Sequence, residues 1–378
     1  MKVYLDNAAT TAIDPLVLEE MLPYLKEHYG NPSSIHAYGR KTRAAIEKGR
    51  KVIARYLNAS TSEIVFTGSG TEASNMIIKG AVRDLGVTRI ISSPLEHHCV
   101  LHSVESMAAE GIKVKYLTPN QEGKFRFDEL EELLQKSEEK TLVSLMHANN
   151  EIGTLLDLEK VSELCTASSA YFHSDTVQTI GYFPFDVQKL KIHFLSGSAH
   201  KFHGPKGTGF VYISSDIQIK PFIDGGAQER NMRAGTENVY GIIGMAKALE
   251  LATEKLTENR GYVLGLKQHM IEKLKTQIPG IDFNGDLSEN GSNYKVLSVS
   301  LPPNEKAELT LFNLDMAGIA ASGGSACTSG SEKGSHVLEG IKADPKRKSV
   351  RFSFSKFNTK EEIDYTVDVL KKIIGSGK

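Results

Sequence analysis

Four residues of this chain combine a reactive side chain with a setting that ordinary packing does not explain. Lys201 stands in SAHKFHGPKG, directly after the apolar run FLSGS. Lysine is almost never buried without a task, and a desolvated amine is a nucleophile toward carbonyl groups. Asp175 closes the run YFHSD, with Gln178 three residues on. A carboxylate and a lysine at neighbouring strand ends could form a salt bridge. They are also the pair that pyridoxal phosphate needs, an acid to keep the pyridine nitrogen protonated and an amine for the aldehyde. Cys327 lies in SGGSACTSGS, without the apolar neighbours of a structural cysteine. It reads as a reactive thiol on a loop that packs poorly and moves easily. Arg351 interrupts the apolar run SVRFSFS, where a guanidinium is costly unless paired. Its planar fork suits a substrate carboxylate, and a buried salt bridge to a protein carboxylate is the plainer alternative.

Further groups collect at the ends of apolar runs. EHHCVLH places His97, His98, Cys99 and His102 within six residues. Their spacing fits no familiar zinc site and no second cluster completes one, so no metal is expected. A flat imidazole stacked on a flat cofactor ring is the stronger functional reading, and helix residues with satisfied rings the bland one. The turn GSGTE, with Gly70 and Thr71, precedes a helical pattern. Free N–H groups at a helix N-terminus bind phosphate, although an ordinary strand–helix turn with Thr71 as N-cap accounts for it equally well. The spacing is neither a dinucleotide fingerprint nor a Walker loop. Cys165, in VSELCTA, reads as a helix-core residue, and the role of Cys99 stays open.

Elements that could position these groups alternate along the chain. Strands are expected at 63–68, 89–93, 113–118, 142–148, 171–175, 194–198 and 207–214, most of them apolar and buried on both faces. Helical patterns lie between them, as at 127–135, where Leu130, Leu133 and Leu134 share a face. The alternation predicts an α/β fold with a mostly parallel seven-stranded sheet. Ligands of such sheets bind outside the carboxyl ends of the strands, and five of these strands end in polar or ionisable residues. A long helical connection at 244–275 leads to a smaller α+β C-terminal domain. That domain would hold strands at 295–301 and 349–355, a helix near 305–317, the stretch 321–331 and a last helix from about 360. The expected division is a large cofactor-binding domain over 15–256 and a small domain formed by 1–14 and 257–378, carrying the Cys327 loop.

Composition excludes several classes. The 378 residues are 40% hydrophobic and 24% charged, with 45 basic and 46 acidic side chains and a net charge of −1. That balance offers no electrostatic footprint for nucleic acid or an anionic membrane. No apolar run approaches the ~18–20 residues of a membrane helix, and the first residues do not resemble a signal peptide. Three widely spaced cysteines make a poor disulfide framework and fit a reducing cytoplasm.

Taken together the motifs resemble those of the cysteine desulfurases, fold-type I pyridoxal-phosphate enzymes akin to class V aminotransferases. The likeness runs from YLDNAATT through YGNPSSIH, TGSGTEASN, EHH, MHANNEIG, SDTVQ, SGSAHKFHGPKG, ERNMRAGTEN and SGGSACTSGS to RFSFSKFNT. The cysteine segment is similar to that of the subgroup serving iron–sulfur cluster assembly, although EKGSH (332–336) lacks the proline many relatives place before Ser-His. The resemblance implies pyridoxal 5'-phosphate held covalently by Lys201, with His97 stacked on its ring and moving protons. Asp175 would pair with the pyridine nitrogen, and Gln178 and Asn150 would contact the ring beside its phenolic oxygen. Gly70, Thr71, Ser198 and His200 would hold the phosphate, and Thr236 would reach the phosphate of a partner subunit, implying a homodimer. Arg351, with Asn150 nearby, would take the carboxylate of L-cysteine. Cys327 would be the nucleophile that keeps the sulfur as a persulfide for an acceptor such as an iron–sulfur scaffold, with L-alanine as the other product. The same fold also serves selenocysteine lyases and small-amino-acid aminotransferases; an aminotransferase would not need Cys327 or its loop.

Overall fold

The computed structural model describes residues 1–136, 138–303, 308–323 and 334–375. After β1 (Val3–Tyr4) come helices α1 (Pro15–Lys26) and α2 (Ala37–Leu57), then the strands of the main sheet. These are β2 (Ile64–Thr67), β3 (Arg89–Ser92), β4 (Lys113–Tyr116), β5 (Thr141–Ser144), β6 (Tyr171–Asp175), β7 (Phe194–Ser198) and β8 (Gly209–Ile213). Helices α3 (Gly70–Leu85), α4 (His98–Ala109), α5 (Phe127–Gln135) and α6 (Leu158–Ala167) connect them. The sheet order is β2-β8-β7-β6-β5-β3-β4, parallel from β4 to β7. Strand β8 runs antiparallel to both neighbours, so β2 again points the way β7 does.

Alternating burial explains why these strands read as continuous apolar runs. Leu142, Phe194 and Val211 face one hydrophobic cluster, with Ile77 of α3 and Val104 of α4. Their neighbours Val143, Leu195 and Tyr212 face the other, against Ile46 and Ile53 of α2. A strand covered on both faces has no polar side to show. The exception is β4, whose residues are mostly exposed: it is the edge strand left in water, unlike the buried edge β2, and its lysines suit that position. The run at 142–148 is strand only to Ser144; the Leu145 and His147 amides still bond to His173 and Asp175 of β6, and the chain then turns where Asn149 accepts from the Glu151 and Ile152 amides.

The long connection is two helices, Val239–Glu254 and Leu256–Gln277, broken at Lys255. Beyond them β9 (Asp282–Asn284), β10 (Val296–Ser300) and β12 (Ser349–Ser353) form an antiparallel sheet of order β12-β10-β9. Strand β11 (Ile319–Ala320) pairs in parallel with β1, tying the start of the chain to its C-terminal third. The C-terminal helices are Thr310–Met316, His336–Gly340 and Lys360–Gly375.

One buried ion pair fixes the segment that carries Thr236. Arg50, 1% exposed, holds Glu229, 3% exposed, through two bonds of 2.7 and 2.8 Å. Arg50 also donates to the Ile64 carbonyl and stacks over Phe66, while Glu229 accepts from the Phe66 amide. Glu229, Arg230 and Asn231 all have positive φ, a conformation that costs about 1–3 kcal/mol per residue and persists only when its surroundings enforce it. Glu229→Gln would leave the Arg50 charge buried with only the half-buried Glu47 at 3.2 Å to balance it. We expect a loss of about 3 kcal/mol in urea unfolding, recovered largely by the apolar double variant Arg50→Met/Glu229→Leu. A change below about 1 kcal/mol in the single variant would show that the pair does not hold this segment.

Candidate active site

The main sheet delivers its polar ends to one cavity of about 250 Å³. Lys201 lies in a single 3-10 turn, Ala199–Lys201, immediately after β7. Its Nζ donates to the carbonyl oxygens of Ala8, at 2.8 Å, and Ala9, at 2.7 Å. Its own carbonyl accepts from the Tyr182 hydroxyl and, at 3.4 Å, from Lys295 Nζ. Asp175 ends the adjacent strand β6 and is nearly solvent-free. Burial pushes its carboxyl up to about 6, against the pull of the Val177 amide, the Lys201 charge and the Ser196 hydroxyl. Gln178 donates to the Ala8 carbonyl, while its Oε1 is buried without a partner among the described residues.

His97 is the N-cap of α4, its Nδ1 accepting from the Cys99 amide at 3.2 Å. That contact places the ring proton of neutral His97 on Nε2. Burial, then the nearby Lys201 charge, brings the imidazole down to about 4, so it is uncharged near neutrality. Cys99 Sγ lies 3.0 Å from the same Nδ1, and burial holds its thiol well above the usual range. A thiol held protonated there is a poor nucleophile. Cys165 is buried in α6, a core residue as its helical setting suggested. The His98 ring centroid lies 5.2 Å from that of His102 and 4.6 Å from that of His336. Among the described residues no group of three or more His, Cys, Asp or Glu is arranged to hold a metal.

The N-terminus of α3 also lines the cavity. Its N-cap is Ser69, whose hydroxyl accepts from the Glu72 amide at 3.1 Å; Thr71, the expected cap, sits inside the first turn and lines the cavity. The difference arises because the helix begins at Gly70. A Cβ there would come within 2.6 Å of Val177. At Gly209 on β8 a Cβ would meet the Ser69 main chain at 2.8 Å, so that glycine lets the turn lie close against the sheet. Ser198 and His200 line the same cavity, with His200 Nδ1 3.1 Å from the Thr10 hydroxyl and burial holding its ring near 4.

Arg351, on β12 of the smaller sheet, closes the cavity and is 2% exposed. It donates to the Asn150 carbonyl and to Asp6, each at 2.8 Å, and its Nε has no partner among the described residues. The salt bridge to a protein carboxylate is therefore present, with donor capacity left over. Asn150 itself lines the cavity. Thr236 is exposed and stands apart from the cavity within this one chain. Cys327, with the stretch 324–331, lies outside the described residues.

Two groups escaped the reading of the sequence. Asp6 carries no local signal, because its value depends on Arg351, 345 residues away. Lys295 is fully buried with Nζ 3.7 Å from the Tyr182 ring centroid, and burial, then the charges of Lys201 and Arg351, hold it well below an ordinary amine. Its place at the head of the apolar run KVLSVSL was the available signal, the same one that singled out Arg351.

These residues fit pyridoxal phosphate. An amine, an uncharged imidazole and a buried carboxylate surround the middle of the cavity, an unpartnered amide oxygen at Gln178 awaits a donor, and a glycine-led helix N-terminus suits an anion.

The sequence matches the profile of the family described as Aminotransferase class-V over residues 3–366. It is 43% identical to a cysteine desulfurase IscS of Dictyoglomus turgidum, covering 99% of this chain and 94% of that one. It is 41% identical to a putative cysteine desulfurase IscS 1 of Bacillus subtilis, over 98% and 99%. Among solved structures, a NifS-like protein superimposes with a TM-score of 0.92 at 38% identity over the full length of both chains. SspA in complex with cysteine superimposes with a TM-score of 0.81 at 30% identity, covering 95% of this chain and 100% of that one.

The shifted groups give the cofactor-free protein an unusual pH response. Desolvation holds histidines 97, 147, 200 and 203 near 4, and the buried His173 near 3. Unfolded, they bind protons below about 6.5, so they raise stability as pH climbs between roughly 4 and 6.5. Asp175 has the opposite sign. Its folded value of about 6 exceeds the unfolded 3.8, so ionisation is penalised and stability falls as pH rises through that window. Asp175→Asn should therefore stabilise the cofactor-free protein by up to about 3 kcal/mol at pH 8, the gain vanishing toward pH 4. Urea unfolding at both pH values tests this, and an equal difference at each would refute it.

Proposed function

Because the chain belongs to the class-V aminotransferases and, among them, to the cysteine desulfurases, we propose that the cavity at Lys201 holds pyridoxal phosphate and that Cys327 takes the sulfur of L-cysteine. The observation that carries the reading is the meeting of Lys201 Nζ, the Asp175 carboxylate and the N-terminus of α3 around one cavity. When bound, the cofactor supplies an electron-accepting ring that makes the Cα proton of an amino acid labile.

The chain's own groups do the rest. Lys201 gives up its bonds to Ala8 and Ala9 and serves as the covalent anchor. Asp175, ionised once it faces a cationic ring nitrogen, keeps that nitrogen protonated. Gln178 and Asn150 contact the ring beside its phenolic oxygen. Gly70, Thr71, Ser198 and His200 hold the phosphate, joined by Thr236 of a second subunit in a homodimer. Arg351, steadied by Asp6, turns its remaining donor to the substrate carboxylate. His97 would stack on the ring, with its Nε2 proton available for transfer. The Cys327 thiolate attacks the substrate sulfur; the carbon–sulfur bond breaks, its electrons and a proton go to carbon, and L-alanine leaves. Cysteine and one thiol thus become alanine and one persulfide, which a protein acceptor such as an iron–sulfur scaffold can collect. No helix among the described residues is long and apolar enough to cross a membrane, which accords with a cytoplasmic site of action. We read 15–256 as the cofactor-binding domain, and 1–14 with 257–378 as the small one.

The test is to incubate the purified protein with L-cysteine and measure alanine and protein-bound persulfide together. Both should appear in equal amounts during the first turnover. Lys201→Ala should abolish both. Cys327→Ser should keep the cofactor and its cysteine-induced spectral change yet form no persulfide; persulfide at the normal level in that variant would remove Cys327 from the mechanism.

Arg351→Lys should raise the KM for cysteine roughly tenfold or more while cofactor content is unchanged, since a point charge does not reproduce the fork. An unaltered KM in the folded variant would assign Arg351 to the Asp6 salt bridge alone.

A further inference from the structure

A second cavity, of about 750 Å³, opens on the other side of Met146 from Lys201. Its walls are aromatic: Phe125, Phe127, Phe183 and Phe185, with Leu155 and Leu156 beside them. His147 sits among the rings, 5.6 Å from Phe183 and 5.5 Å from Phe185 between centroids.

The hydrogen bonding of His147 fixes what it offers to this space. Its Nδ1 lies 3.0 Å from Thr179 Oγ1, and that hydroxyl donates its single proton to the Thr176 carbonyl. With the hydroxyl proton on that carbonyl, Nδ1 is the nitrogen that donates to the hydroxyl oxygen. Burial holds the imidazole near 4, so the ring is neutral and Nε2 is a bare acceptor. Nε2 has no partner among the described residues, and His147 lines the cavity. No step of the desulfuration uses it.

Most charges around the cavity are already spent. Lys124 is paired with Asp286 and Glu122, and Lys189 with Glu159. Asp157 caps α6, and Asp186 accepts from the Gln188 amide and the Asn58 side chain. Glu289 stands exposed in water at the rim. Arg260 differs: it is half-buried, lines the cavity, and has no ion pair or hydrogen bond among the described residues. An unpaired guanidinium beside apolar walls favours a carboxylate, and the rings favour a flat apolar body.

We propose that this cavity binds a small aromatic carboxylate that carries an N–H or O–H, its acid on Arg260, its ring among the phenylalanines and its donor on His147 Nε2. The site is separate from the one that handles cysteine, and its occupant need not be turned over.

The chain contains no tryptophan, so an indole ligand can be followed by its own emission. The probe is indole-3-acetate, titrated into the cofactor-loaded protein by fluorescence and by equilibrium dialysis. Saturable binding of one molecule per chain is expected. Arg260→Gln should weaken it roughly tenfold or more, whereas Arg351→Lys, altered only in the other cavity, should leave it unchanged. 1-Methylindole-3-acetate, which lacks the N–H, should bind several-fold more weakly. Tryptophan binding better than indole-3-acetate would identify the occupant as an amino acid whose ammonium meets Glu289. Absence of saturable binding to the wild-type protein, equal affinity in Arg260→Gln, or equal affinity for the methylated probe would each overturn the assignment.

Discussion

Two main-chain carbonyl oxygens, those of Ala8 and Ala9, hold the amine on which the site depends. A lysine at the end of a buried strand has few ways to keep its charge, and here the opening segment of the chain supplies them. The same segment reaches in every direction from that point. Asp6 braces Arg351, Asn7 and the Ala8 amide bond to Ser353, and Thr11 and Asp14 bond to the turn after Lys201. Strand β1 adds its pairing to β11. The main sheet and the C-terminal sheet are thus clasped by some dozen residues that belong to neither, and the cavity lies where the clasp is drawn tight.

Electrostatics follows from this geometry. The site contains few free charges in the absence of cofactor: the surrounding imidazoles are neutral, Lys295 is suppressed, and Asp175 titrates near 6. Burial disfavours the charged form of each such group, and Asp175 in particular gains from an incoming partner of opposite charge. A cationic ring nitrogen relieves Asp175, and an anion at the N-terminus of α3 meets oriented amides.

Much of this was legible in the sequence because parallel strands buried on both faces read as plain apolar runs, and polar residues at their ends stand out against them. Lys201, Asp175 and Arg351 were visible for that reason, and so was the seven-stranded sheet. Where neighbours rather than local pattern decide, the sequence was silent or misleading. Strand β4 resembles its fellows until its edge position is known. Ser69 rather than Thr71 is the cap, because α3 begins one residue before Thr71, at Gly70. The pairing of Asp6 with Arg351 and the nearness of Lys295 to Lys201 are products of folding across hundreds of residues, which no local window contains.

The clasp also sets an order of events during biosynthesis. The first fourteen residues leave the ribosome early, yet their partners near 200, 320 and 353 are made much later. Until β12 has cleared the exit tunnel, Ser353 and Arg351 are not available, and the carbonyls of Ala8 and Ala9 have no fixed place from which to receive Lys201. The main sheet can assemble before the cavity is complete, and a chain truncated before β12 lacks both Arg351 and the Ser353 anchor that holds Asn7 and Ala8 in place.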